Sequence, residues 1–357
     1  MLTIFLRKLS IRFLAICFWL CLIVLFLFSP NIKRFFKEKD SLTIFTFPNL
    51  LDADYLHKFT KETGIKLYVS YYENNDELLV KMRETGGVGY DIIVPSDYAV
   101  DLLIKEGLLQ KIDKSKLSFY KYLNPKFLGK YFDPKNEYSI PYLWEAYKIG
   151  YTKDFFKDAP PEASWKVIFD EKYAPSKIGM LNNAREAVLL AAYYLFGTID
   201  NLTDAQIQKV KELLVKQKKW VAVYTDLRPD YLLYSGTVPL AVGMSGEIWQ
   251  GARFDPSLDY VIPKEGTFMV IDSVAIPSKS KKQNLIYKFL EFFYRPDVVE
   301  YHNDKHSTFP VITNVTLQDE FKEAIDRFWS ESKKVNFFKN VLKEEQLNEV
   351  WIYLKSH

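Results

Sequence analysis

The sequence is poor in cysteine and histidine and carries no glycine-rich phosphate loop. Of its 357 residues two are cysteines, Cys17 and Cys21, and both fall inside one apolar run near the start. The remaining chain therefore has no thiol, no disulfide and no cysteine metal ligand, and its folding is independent of redox state. Neither G-x-x-x-x-G-K-[ST] nor G-x-G-x-x-G occurs, so nucleotide hydrolysis and dinucleotide redox chemistry lack a motif. The four histidines are His57, His302, His306 and His357. Only the 302/306 pair has helical i, i+4 spacing, and in YHNDKHS no Glu follows the first His as a zinc-binding H-E-x-x-H requires. That pair reads as a solvated helix end and His57 as a helix-surface residue, so no metal and no cofactor is expected. Internal repeats and low-complexity linkers are absent as well.

What is there is a globular composition, 48% hydrophobic and 16% aromatic, long enough for about two domains. The formal net charge of +3 is concentrated at the start, where Arg7, Lys8, Arg12, Lys33, Arg34, Lys37 and Lys39 face only Glu38 and Asp40. From residue 41 onward 41 basic residues oppose 43 acidic ones. A slightly acidic body has no electrostatic footprint for phosphate backbones, so nucleic acid is not expected as a partner and cationic ligands are favoured over anionic ones.

The run FLAICFWLCLIVLFLFS, Phe13 to Ser29, holds seventeen residues without a charge, at the lower limit for a membrane-spanning helix. Arg7, Lys8 and Arg12 before it form the positive region of an exported protein and favour a cytoplasmic start. A cleaved signal peptide and an uncleaved signal anchor compete. The missing small-residue cleavage pattern favours the anchor, and the bulky Ile16 before Cys17 argues against a lipoprotein site. The body then lies outside the cytoplasm.

Beyond residue 40 short apolar runs alternate with periodic segments. Strands are expected at Leu42 to Thr46, Lys66 to Ser70, Tyr90 to Val94, Lys177 to Leu181, Trp220 to Tyr224, Val238 to Gly243, Asp259 to Ile262 and Met269 to Ile276. Helices are expected at Ala53 to Thr63, Asn75 to Glu84, Ala99 to Glu106, Ala184 to Phe196, Asp204 to Gln217, Lys281 to Tyr294, Leu317 to Ser330 and Leu342 to Leu354. The alternation predicts an α/β fold of parallel sheets covered by helices, in two lobes with more than one crossover. Aromatic rings and carboxylates gather where strands end, and that pairing suits an organic cation: ring faces attract ammonium groups and carboxylates accept their N–H bonds.

Several ordered blocks sharpen this reading: FTKETGIKL (Phe59 to Leu67), YDIIVPSDYAVDLLIKEGLLQKIDKSKL (Tyr90 to Leu117), YSIPYLWEAYKIGY (Tyr138 to Tyr151), NNAREAVLLAA (Asn182 to Ala192), PKEGTFMVIDSVAIP (Pro263 to Pro277) and FYRPDV (Phe293 to Val298). Together they resemble the spermidine/putrescine-binding proteins of ABC uptake systems, over about residues 42 to 357. The resemblance implies a two-lobed periplasmic-binding-protein fold (type II-like) with a crossover hinge. Lobe 1 would be 41–146 plus 271–316, lobe 2 would be 147–270 plus 317–357, and 1–40 the signal segment or anchor. It also implies no catalysis, ligand in the cleft, closure on binding, a monomer, and ABC permease subunits as the receiving partner.

Carried over position by position, the resemblance assigns Ser96 and Tyr98 to an amine and a wall, and Glu186 and Asp272 to ammonium groups. The residues themselves allow other roles: Ser96 a helix N-cap, and Glu186 a capping box with Asn183. An Asp inside an apolar strand, as at Asp272, needs a partner. Elsewhere the chain departs from the family. Phe47 stands for a tryptophan, Asn49 for an acid, Leu50 for a tyrosine, Asn183 for a second acid, Met244 and Val270 for two tryptophans, and Phe337 near a glutamine. Glu145 and Glu247 appear where small residues are usual; they either restore the lost charge or are surface residues. The expectation is an extracytoplasmic binding protein for a polyamine or related cation. The alternatives are a different small solute on the same fold, a surface protein such as an adhesin, and, more remotely, a hydrolase using Ser245 in Gly243-Met-Ser-Gly with His302 or His306.

Overall fold

The computed structural model describes residues 18–20 and 40–357, apart from 49, 52, 158, 176 and 227. Residues 18–20 are helical; the rest of the expected membrane segment, Cys17 included, and the site candidate Asn49 lie outside the described residues. Among the described residues no helix is long and apolar enough to cross a membrane.

The first unit is built by β1 (Ser41–Thr46), α1 (Ala53–Thr63), β2 (Lys66–Tyr71), α2 (Asn75–Thr85), β3 (Ile92–Ile93) and α3 (Asp97–Lys105). Every residue of β1 is buried, and it lies parallel to both β2 and β3, with α1 and α2 as the helical connections that parallel neighbours need. Helix α2 shows how local sequence sets these bounds: the Asn74 side chain accepts the Glu77 N–H at its start, and Gly86 closes it with φ 59, where a side chain would be strained.

Strand β4 (Ser139–Thr152) is fourteen residues long and buried over all but its last residue. The remaining elements are α4 (Lys166–Phe169), β5 (Ile178–Met180), α5 (Ala184–Phe196), α6 (Asp204–Gln217), β6 (Val221–Tyr224), α7 (Pro229–Tyr234), β7 (Leu240–Met244), α8 (Ser245–Phe254), β8 (Leu258–Val261) and β9 (Thr267–Ala275). The chain closes with α9 (Gln283–Phe293), α10 (Pro296–His306), β10 (Phe309–Pro310), α11 (Asp319–Glu331), β11 (Val335–Phe337) and α12 (Glu344–Ser356). The strand order is β2-β1-β3-β9-β4-β7-β5-β6, with β10 and β8 also on β4 and β11 on β9.

The long strand is what makes two lobes. Its first half, Ser139 to Ala146, pairs antiparallel with β9, while its second half, from Tyr147, pairs antiparallel with β7 and β8. Two hydrophobic cores follow. One gathers β1, β3 and the first half of β4 with α9 to α11, and the other gathers Tyr147 and Ile149 with β5, α5 and α12. The expected all-parallel arrangement is thus corrected to a mixed sheet, because β4 and β9 run antiparallel through its middle. The segment PYLWEAYK lies within this strand and carries the chain from one lobe to the other. Phe321, Ala324 and Phe328 of α11 pack in the first core, with Trp249 and Trp144 ring centroids at 4.4 and 5.1 Å from Phe321 and Phe328.

Candidate functional site

Leu143, Glu145 and Tyr147 of β4 share one face of the sheet with Val270 and Asp272 of the neighbouring β9, since side chains alternate along a strand. In the register Glu145 stands opposite Val270, and Leu143 opposite Asp272. Two carboxyl groups are therefore diagonal neighbours inside an otherwise apolar stretch, each 8% exposed.

Asp272 accepts a hydrogen bond from Ser96 Oγ at 2.5 Å. Ser96 is itself held by Asn75, whose Nδ2 donates to its hydroxyl at 2.8 Å and whose Oδ1 accepts its N–H at 3.0 Å. Ser96 occupies the N-cap position of α3, yet its side chain makes no cap bond; the hydroxyl serves Asp272 instead. Burial pushes Asp272 up to about 6, and the Ser96 bond works against that rise. The buried Tyr72 feels the Asp272 charge, and Phe47 stands edge-on to Tyr72 with centroids 6.4 Å apart.

Glu145 lies at the N-terminus of α8. Its Oε2 accepts Ser245 Oγ at 2.6 Å and Gly246 N–H at 2.7 Å, and Ser245 Oγ in turn accepts the Ala146 N–H at 3.1 Å. A helix N-terminus suits an anion, but burial dominates and, with the charges of Glu247 and Asp272, pushes Glu145 up to about 8. Gly246 is required here, because a Cβ would lie 2.6 Å from Glu145 Oε1 and 2.7 Å from the Ser307 carbonyl. Glu247, one residue on, accepts the Arg228 N–H at 3.0 Å and is pushed up to about 7, mainly by burial. Met244, at the end of β7 opposite Tyr147, is half-buried.

The other end of the face meets α5. Asn183 is the N-cap and its Oδ1 accepts the Glu186 N–H at 3.2 Å. The Glu186 carboxyl is pushed up to about 8 by burial and by Asp226, with the Tyr147 hydroxyl beside it working the other way. Arg185, 4% exposed, lays its guanidinium over the Tyr98 ring at 4.5 Å from the centroid. Asp76 and Asp97, which face it, are both raised by burial, and Arg185 opposes that rise. Tyr131 donates to Asp97 at 3.1 Å, and Asn340 donates to the Tyr98 carbonyl and to Asp101 at 2.9 and 2.8 Å. Chemically this is a box of carboxyl groups that burial has made reluctant to ionise, with aromatic walls. A cation entering it would let them ionise.

The model of the bacterial extracellular solute-binding proteins matches residues 54–328. The chain belongs to this family. A spermidine/putrescine-binding periplasmic protein of Salmonella typhimurium is 36% identical over 265 residues, 74% of this chain and 75% of the relative. A putrescine-binding periplasmic protein, SpuD, of Pseudomonas aeruginosa is 31% identical over 301 residues, 78% of this chain and 82% of the relative. Among solved structures, the spermidine/putrescine ABC transporter substrate-binding protein PotD of Streptococcus pneumoniae superposes with TM-score 0.75 at 25% identity, covering 89% of this chain and 99% of that one. The two-lobed architecture is accordingly a periplasmic-binding-protein fold of mixed α/β content.

In this solute-binding protein Ser96, Asp272, Glu145, Glu247, Met244, Tyr98, Glu186 and Asn183 come together around β4, β9 and the starts of α3, α5 and α8. Phe47 joins through Tyr72. Several sequence expectations change. Glu145 is a buried residue bonded to α8, not a surface one. Glu186 makes half of the expected capping box: its N–H is capped, while its carboxyl turns to Tyr147. One face of Tyr98 is covered by Arg185. His302 is no solvated helix end; it is 1% exposed and packs on Tyr55, Tyr142 and His306. Ser245 has Glu145 and the Ala146 amide as its hydroxyl's partners, not the histidine that the remote hydrolase alternative required. Of the family positions that depart, Leu50 and Val270 are buried, and Phe337 sits in β11 with its ring 5.6 Å from Tyr131. Asp76, Asp97, Asp226 and Arg185 were not picked out from the sequence; the one signal was Arg185 itself, a cation in the first turn of a helix, where the dipole disfavours it.

Proposed function

We propose that this chain is an extracytoplasmic solute-binding protein that takes up a polyamine, or a related organic cation, and hands it to the permease of an ABC importer. The observation that carries the reading is the set of carboxyl groups, Asp272 and Glu145 buried and Glu247 and Glu186 half-buried, all raised above their ordinary values chiefly by desolvation. The names of the relatives, which bind spermidine and putrescine, point the same way. The roles follow the chemistry: Asp272 and Glu186 hold ammonium groups, Phe47 and Tyr98 supply ring walls, Met244 a flexible apolar contact, and Ser96, Asn49 and Asn183 neutral hydrogen bonds.

The same reading takes the fold as type II-like, hinged at β4 and β9, with 41–146 and 271–316 in one lobe, where α11 also packs, and 147–270 and 332–357 in the other. The lobes close on a ligand without turnover, the protein acts as a monomer, and residues 13–29 tether it to the outer face of the inner membrane. Isothermal titration of the full chain with putrescine, spermidine and spermine at two salt concentrations tests it. Binding that weakens with salt is expected, since salt screens ammonium–carboxylate attraction. No heat and no thermal shift with any of the three would remove polyamines as the ligand.

A further inference from the structure

Asp272 and Glu145 each use one oxygen within the protein. Asp272 Oδ1 takes the Ser96 hydroxyl, and Glu145 Oε2 takes both Ser245 and Gly246. Among the described residues no hydrogen bond is made to Asp272 Oδ2 or to Glu145 Oε1. The two carboxyls lie on the same face of adjacent antiparallel strands, diagonal to each other two pairs apart in register, a spacing within reach of long side chains, and Glu145 feels the Asp272 charge. Leaving acceptors of a buried carboxylate without donors is costly. Two such groups side by side form an incomplete constellation that a donor-rich cation completes.

Glu145 is also placed with care. Ser245 and Gly246 fix it from the start of α8, and Ser245 is locked in turn by the Ala146 amide. Residue 246 tolerates no Cβ at that approach. Opposite Glu145 in the register stands Val270, a short apolar side chain. No cationic side chain bonds either carboxyl among the described residues: Arg185 lies over Tyr98, and Lys148, three residues along β4, places its Nζ over the Tyr260 ring at 4.0 Å.

We infer that Glu145 and Asp272 act as a two-carboxylate clamp for one primary ammonium group of the ligand, with Glu145 the specificity-determining half. A primary ammonium presents three N–H donors on a small charge, matching acceptors that converge from two strands. A quaternary ammonium presents none, and would leave both free oxygens unpaired. The inference rests on the cation-binding reading above and adds which end group the site requires and which residue imposes it.

The test is isothermal titration of the full chain and of Glu145→Gln with putrescine and with its bis(trimethylammonium) analogue. The amide is isosteric and still offers an oxygen to Ser245 and Gly246, so the variant is expected to fold, with a melting temperature at pH 8 equal to or above the parent's. Putrescine affinity is expected to fall tenfold or more in Glu145→Gln, and the parent to prefer putrescine over the quaternary analogue by at least tenfold. Ser245→Ala, which frees Glu145 to turn, is expected to lose affinity by a smaller factor. Glu145→Gln binding putrescine within twofold of the parent, or a parent that binds both diamines equally, overturns the clamp while leaving a cation-binding protein. A parent that binds neither those two nor spermidine nor spermine overturns both readings together.

Discussion

A single charge inside an apolar strand is the most informative residue of this sequence. Asp272 interrupts Met-Val-Ile-Asp-Ser-Val-Ala, and the structure gives it one hydroxyl partner and no cation among the described residues. Replacing it by Asn is expected to weaken cation binding by tenfold or more, because an ion pair in a desolvated site is lost; titration calorimetry at pH 8 reads this directly, and an unchanged affinity would take Asp272 out of the site. Ser96→Ala has a subtler consequence. The hydroxyl stabilises the charged form of Asp272, so removing it raises that carboxyl further above about 6. The pH at which binding is half-lost on acidification should move upward relative to the parent, a shift that a purely structural serine would not produce. Asp272 and Ser96 were each singled out from the sequence, but the bond between them spans 176 positions and no local pattern carries it. The same holds for Glu145, whose role depends on Ser245 and Gly246 a hundred residues away. By sequence alone a Glu is a surface residue first.

At the scale of elements, the expected helices showed an apolar face at the helical period and the expected strands were short apolar runs between turn residues, whereas the helices α4, α7, α8 and α10 were not among those expected. Strand β4 was not expected either. Both of its faces are buried, as in β1 and β9, but SIPYLWEAYKIGYT runs for fourteen residues and carries Glu145 and Lys148, so it shows neither alternation nor a short apolar run. The two-residue β10 and three-residue β11 are too short to show a period. The parallel-sheet expectation failed for a related reason, since strand direction depends on which distant strand is met. The junction of β7 and α8 shows how an element can be fixed by one close contact. Gly246→Ala would push its Cβ onto Glu145 Oε1 and the Ser307 carbonyl, one of them backbone, so the helix start must shift. Overpacking of this kind costs about 1–3 kcal/mol. Urea unfolding of the unliganded chain should show a lowered midpoint with an unchanged slope, and a midpoint equal to the parent's would mean that α8 yields freely.

For the whole molecule, a nearly neutral body conceals an uneven distribution of acids, and pH should expose it. Asp297 lies outside the cleft, where Arg295 and Lys58 hold it well below the usual carboxylate range. Such a group stabilises the fold above its unfolded value and ceases to do so on acidification below about pH 4. The cleft acids have the opposite sign. Their folded values, about 6 for Asp272, 7 for Glu247 and 8 for Glu145 and Glu186, lie above ordinary values of 3.8 to 4.5. Between those limits the folded chain binds more protons than the unfolded one, so stability falls as pH rises from about 4 to about 8. Lys148, lowered to about 7 from 10.5 by burial, favours folding increasingly only above about pH 7. The melting temperature of the unliganded chain is therefore expected to decline from pH 5 toward pH 8. A bound diamine stabilises the ionised carboxyls, so its thermal shift should be larger at pH 8 than at pH 5. A melting temperature that climbs over this range, or a ligand shift larger at pH 5, would mean that the buried carboxyls are not the groups the cation meets.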